Sequence, residues 1–292
     1  MVSCAQALVR LLEGYGVESV FGIPGVHTVE LYRGLHGSSL RHVSPRHEQG
    51  AGFMADGYAR ASGKPGVCFI ITGPGMTNIL TAMGQAYADS VPMLVISTTS
   101  RREHLRLGHG YLHEMPDQRA MVAGVCAFSH TLQRPQELPE LLGRAFALFG
   151  CSRPRPVHIE IPLDVLEMPA DDLDLRPRAL PQAPAPAAEA IASAVQLLSQ
   201  ARKPLILAGG GARRAAGALR APPDQVGFVQ QQLVDQVVIG QVRIELGQQA
   251  DLDPELGLGV DEGAQPIALG ADRLVRPGLY RALPGVAGEH IK

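Results

Sequence analysis

No two cysteines in this 292-residue chain stand at metal-ligand or disulfide spacing. Cys4, Cys68, Cys126 and Cys151 lie far apart, with no CxxC and no Cys/His ligand pattern, so neither a zinc site nor a disulfide framework is expected. Reduced, mostly buried thiols in a cytoplasmic protein are the plain reading. Neither sign of charge is in excess. A formal charge of −2 and a pI near 6.6 give no electrostatic ground for a nucleic-acid partner. No uninterrupted apolar run reaches membrane-spanning length, so no membrane partner is expected either. The N-terminus lacks the basic region and continuous apolar core of a signal peptide.

What is present favours a packed core: 46% of residues are apolar and 18% charged. Ser3 and Gln6 have capping-box spacing at the start of a first helix, with Ala7, Leu8, Leu11 and Leu12 on its inner side. Short apolar runs then alternate with longer amphipathic ones. Strands are expected over 17–21, 40–43, 66–71, 91–97 and 157–161. After a turn at 22–25 a helix is expected through 31, and further helices over 49–62, 77–89 and 135–150. The Gly66–Ile71 run is apolar throughout, as in a strand buried on both faces. Such alternation predicts an α/β fold, a parallel sheet with helices on both faces.

Residues 1–170 are read as this first domain. Residues 171–188, rich in Pro, Ala and Asp, are read as a linker. Residues 189–221 open a partial second α/β unit, with a helix over 189–200, a strand at 205–208, three glycines at 209–211 and a helix over 212–219. Glycines without a full fingerprint give no nucleotide site. Residues 222–292 change character, carrying nine of the chain's eighteen glutamines and no clear periodicity. They are read as an atypical tail, either without a fixed fold or the product of a shifted reading frame.

The run from Arg46 to Ala61 carries the most chemistry. The carboxylate of Glu48 opens a small-residue helix just after a strand end, and a Gly-Pro-Gly turn follows at Gly73-Pro74-Gly75. Gly50, Ala51, Gly52 and Phe53 fit a dry, closely packed site around that carboxylate, where burial raises a carboxyl's proton affinity. Taken alone, Glu48 is equally an acidic residue favoured at a helix start. Gly25 and Gly75 let main chain approach a ligand, or are ordinary strand-to-helix turns. Thr72 and Asn78 also read as helix-terminus caps. The segment Arg101–Glu114 is a polar loop. It is either solvated, or an active-site loop with His113 as proton donor or substrate orienter. There Glu114 and Asp117 are candidates to face a cationic substrate tail. Gln85 and Gln118 are candidate cofactor-side amides.

Four segments together resemble the N-terminal pyrimidine domain of the thiamine diphosphate enzymes of acetolactate synthase, benzoylformate decarboxylase and pyruvate decarboxylase type. They are Phe21-Gly22-Ile23-Pro24-Gly25, Arg46 to Ala51, Thr72 to Asn78, and Ala86 to Pro92. Lys203 to Gly211 resembles the opening of that family's central domain. The longer texts Pro24 to Tyr32 and Leu112 to Gln118 are similar to the family's 5-guanidino-2-oxopentanoate decarboxylases, which act in arginine breakdown.

The resemblance implies thiamine diphosphate as cofactor, with Glu48 hydrogen-bonded to N1′ of its aminopyrimidine, where a carboxyl favours the tautomer that deprotonates the thiazolium C2. It places Gly25, Glu48 and Gly75 at the cofactor; Thr72 and Asn78 are further candidates for cofactor contact, and His113 is the candidate catalytic residue of the polar loop. It implies a 2-oxo acid substrate, decarboxylation and aldehyde release, or, in an acetolactate-type carboligase, addition to a second 2-oxo acid. Family members bind the diphosphate through Mg²⁺ on a Gly-Asp-Gly…Asn-Asn segment. The chain contains no such segment, so no metal ligand is assigned. Half a site is therefore expected, inactive alone. The chain would form a homodimer or pair with a full-length thiamine enzyme subunit, either catalytically or as a non-catalytic regulatory subunit.

Overall fold

A computed structural model describes residues 1–201 and 211–212. The expected strand at 205–208, most of the glycine run and of the helix over 212–219, and the tail at 222–292 lie outside the described residues.

Helix α1 (Cys4–Gly14) begins with the expected capping box, Ser3 and Gln6 each satisfying the other's backbone N–H. Then follow β1 (Ser19–Gly22), α2 (Val29–Gly34), β2 (Arg41–Val43), α3 (Glu48–Ser62), β3 (Gly66–Ile70), α4 (Pro74–Asp89), β4 (Met93–Thr99), α5 (Gln118–Val122), β5 (Phe128–Thr131), α6 (Leu138–Cys151), β6 (Val157–Pro162), α7 (Leu163–Glu167) and α8 (Ala188–Gln200). Helix α4 starts three residues before the expected Thr77, because Pro74 takes the first helical position, where its missing N–H costs nothing. Strand β4 is displaced towards its C-terminus, with Pro92 just ahead of it. The short elements α5, β5 and α7 were not expected.

All six strands are parallel, in the order β2-β1-β3-β4-β6-β5. The central strands are buried on both faces, and their side chains alternate between two cores. Val67, Phe69, Leu94 and Ile96 join α1 and α6 residues such as Leu8, Leu11, Leu142 and Phe146. Cys68, Ile70, Met93 and Val95 join Ala51, Ala55, Met76, Ile79 and Met83 from α3 and α4. Small residues let these two helices approach closely. A Cβ added to Gly52 would stand 2.5 Å from the Cβ of Ala82.

The chain runs from β1 outward to β2, then returns to β3 on the other side of β1. The crevice beyond the C-terminal ends of β1 and β3 is therefore a topological switch point, where open α/β sheets bind their ligands. Cys4, Cys68 and Cys126 are buried and Cys151 is partly so; all four are free thiols. Among the described residues no helix is long and apolar enough to cross a membrane.

Candidate active site

Three segments meet at the switch point. After β1, Thr28 locks a tight turn over Val26–Thr28: its hydroxyl accepts from the Gly25 N–H at 2.8 Å and donates to the Gly25 carbonyl at 3.0 Å. The backbone at Gly25 is extended, a conformation open to any residue. The space there is tight, since an added Cβ would lie 2.7 Å from Cδ1 of Ile71, whose side-chain end would have to move aside. The same isoleucine fills the gap at Gly75, where a Cβ would come within 2.5 Å of its Cγ2 and 3.5 Å of Cγ of Glu48. Ile71 is thus the apolar contact shared by both glycine turns, a role that sequence reading did not assign.

Glu48 is the first residue of α3, behind His47, whose ring Nδ1 accepts from the Gln49 N–H at 3.1 Å. Asn78, one turn into α4, donates from Nδ2 to Oε2 of Glu48 at 2.9 Å. The other carboxylate oxygen, Oε1, has no hydrogen bond among the described residues. Glu48 is half-buried, less enclosed than the dry site expected from the sequence. The difference has a structural cause. Gly52 packs against α4 instead, and Phe53 is 42% exposed.

Thr72 lies elsewhere. It is buried, and its hydroxyl donates at 2.9 Å to Oε1 of Gln118, which also accepts from the Gly73 N–H at 2.9 Å. Thr72 and Gln118 therefore hold the β3 turn from behind. The other end of Gln118 reaches the Ser97 hydroxyl, the Thr98 carbonyl and Glu160. This buried layer continues to Thr131, which donates to Glu160 at 2.6 Å, and to His158, whose two ring nitrogens meet Ser97 and Ser129 at 2.8 and 2.7 Å. Burial pushes the Glu160 carboxyl above its ordinary range and pulls His158 down to about 3. A cleft of about 170 Å³ over this layer is bordered by Arg106, Asp117 and Glu160.

His113 sits in the polar loop at φ 58°, with its carbonyl against the β3 turn, so that a Cβ on Gly73 would lie 2.6 Å from it. Its ring stacks on His27. The carboxylates considered for a cationic substrate tail already have partners. Glu114 accepts from the N–H groups of Gly108, Gly110 and Tyr111 at 2.7, 2.7 and 3.0 Å. Asp117 caps α5 through the Ala120 N–H at 2.9 Å and pairs with Arg106 at 3.0 Å. Gln85 bonds Asp89 near the far end of α4, about 15 Å along the helix from Gly75. Among the described residues no three His, Cys, Asp or Glu side chains converge as a metal site.

Parallel strands with glycine turns at their switch point and a carboxylate opening the next helix make this an open-sheet α/β domain with its crevice where such sheets bind ligands. Residues 2–121 match the family model of the thiamine pyrophosphate enzymes' N-terminal TPP binding domain. It is 60% identical over 221 residues to a probable 2-ketoarginine decarboxylase of Pseudomonas aeruginosa, a match covering 75% of this chain and 40% of that protein. An acetolactate synthase of Arthrospira platensis is 38% identical over 220 residues, covering 72% of this chain and 38% of the relative. The large subunit of acetolactate synthase isozyme 1 of Escherichia coli is 35% identical over 219 residues, with coverages of 74% and 38%. The chain thus spans about two fifths of the length of these curated relatives.

Proposed function

We propose that Glu48, Asn78 and the turns at Gly25 and Gly75 receive the aminopyrimidine ring of thiamine diphosphate, in a decarboxylase acting on 2-ketoarginine. The observation that carries this reading is the Glu48–Asn78 pair: one carboxylate oxygen is fixed by an amide and the other is left open at the switch point. The open Oε1 is suited to hold a proton at N1′ of the ring. Asn78 stops the carboxyl from rotating away, and the absence of side chains at Gly25 and Gly75 leaves Ile71 as the apolar contact between the turns. Bound thiamine diphosphate supplies the carbon nucleophile that makes loss of CO₂ from a 2-oxo acid feasible. His113, in the loop against Gly73, is the group proposed to exchange protons with the substrate. The diphosphate and its Mg²⁺ are assigned to polypeptide outside residues 1–201, whose docking would also complete the enclosure of Glu48. The higher identity to the decarboxylase than to the synthases favours decarboxylation over carboligation.

The test is a calorimetric titration of thiamine diphosphate with Mg²⁺ into the chain alone and into the chain with a polypeptide carrying the family's diphosphate domain. Tight binding is expected only in the second case, weakened at least tenfold by Glu48→Gln. CO₂ release from 2-ketoarginine should then need no second 2-oxo acid. Binding unchanged by the substitution would overturn the cofactor site, and CO₂ release only with a second 2-oxo acid would make the enzyme a carboligase.

A further inference from the structure

Two imidazole rings held by no hydrogen bond among the described residues lie stacked beside the β3 turn. The ring centroids of His27 and His113 are 5.7 Å apart and their planes are inclined by 23°. Nδ1 of each ring is buried without a partner among the described residues. His27 is only 7% exposed and sits at the centre of the turn that Thr28 locks. His113 adopts a left-handed backbone at φ 58°, which disfavours non-glycine residues. Two unsatisfied buried nitrogens and a strained backbone are each costly, and all converge on one ring contact.

We propose that His27 is a positioning residue for His113: its ring is the platform on which the His113 ring rests, so that of the two rings His113 is the one presented to the site. The use of the pair rests on the cofactor reading above; its existence does not.

Electrostatics favours the division of labour. Two imidazolium charges at this separation would repel by an amount on the order of two pH units at a protein-like dielectric. Burial first, and His113 second, hold His27 below its ordinary value. The elements packed on its turn are β4 and α2. The β4 end offers the uncharged Ser97, Thr98 and Thr99, and Glu30 on α2 is paired with Arg33 at 2.5 Å. In the loop, Glu114 is turned towards the backbone of Gly108, Gly110 and Tyr111.

The test is an NMR titration of the full chain, labelled with ¹³C at histidine Cε1, with no cofactor present. The His27 midpoint should lie below 6.5, and His113→Gln should raise it by about one unit, a tenfold change in proton affinity. The His113 resonance should move in His27→Ala and stay close to its native position in His27→Phe, which keeps the stack. A native His27 midpoint at or above the ordinary value, or one unmoved by His113→Gln, overturns the proposal. So does a His113 resonance identical in His27→Ala and the native chain. If His27→Ala fails to fold, the His113→Gln arm decides alone. Because no thiamine diphosphate is added, failure here leaves the cofactor site standing, and failure of cofactor binding leaves the histidine pair standing.

Discussion

The side-chain amide of Asn78 donates to Oε2 of Glu48 at 2.9 Å, joining the first turn of α4 to the first residue of α3. Both ends of this bond sit at helix N-termini, where backbone N–H groups favour a carboxylate. The two helices also pack along Gly52 and Ala82, so the bond fixes a carboxylate between elements already held rigid.

Asn78→Ala removes the amide and leaves the partly solvated carboxylate free to turn. The expected cost is about 1 kcal/mol, the usual net worth of one hydrogen bond. Urea unfolding of the native and substituted chains measures it. A variant as stable as the native chain would mean that the Glu48 carboxylate is held by something other than Asn78.

Gly73→Ala should be more damaging. Gly73 stands at φ 68° and ψ −116°, a region closed to side-chain-bearing residues, and its Cβ would meet the His113 carbonyl at 2.6 Å. A loss of about 2 kcal/mol or more is expected. Amide exchange should also quicken through residues 108–117 as the loop is pushed off the turn. Alanine at Gly57, where an added Cβ would meet nothing within 4 Å, is the control that should lose no stability.

His158 should make stability depend on pH. Its folded-state value is about 3 and its ordinary value 6.5. Between these limits the unfolded chain takes up a proton that the folded chain refuses. Stability is therefore full above about pH 6.5 and falls as pH drops towards 3, by up to about 1.4 kcal/mol per pH unit. Glu160 works with the opposite sign: burial raises its value, so its contribution is present at low pH and is lost as pH rises through the interval up to the folded value. Comparing His158→Gln with the native chain cancels the Glu160 contribution. The variant should show a flatter loss of stability between pH 6.5 and 4, whatever its stability at neutral pH. Parallel pH curves for the two chains would contradict the assignment.

The central strands were legible because burial on both faces leaves continuous apolar runs, as in Gly66–Ile70. Strand β5 was not, because Phe128-Ser129-His130-Thr131 is a half-buried edge whose polar residues bond inward to β6 and Glu137. Helix α5 had a readable signal, the N-cap Asp117, a residue weighed only as a candidate for a cationic substrate tail or as part of a solvated loop. The run that opens at Glu48 was itself legible as a motif. Its contacts were not: Asn78 and Thr72 both read as helix caps, yet one faces Glu48 and the other faces the interior at Gln118. The stack of His27 on His113 joins two loops far apart in the chain, and no local pattern encodes it.

The central claim is that Glu48, flanked by Gly25, Gly75 and Asn78, accepts an aminopyrimidine. Thiamine, which carries that ring without the diphosphate, isolates the contact. The direct measurement is amide chemical-shift mapping of the full chain with millimolar thiamine, in the native protein and in Glu48→Ala. The largest shifts should fall at residues 25, 48, 75 and 78 and vanish in the variant. Shifts elsewhere, none at all, or the same shifts in Glu48→Ala would contradict the account.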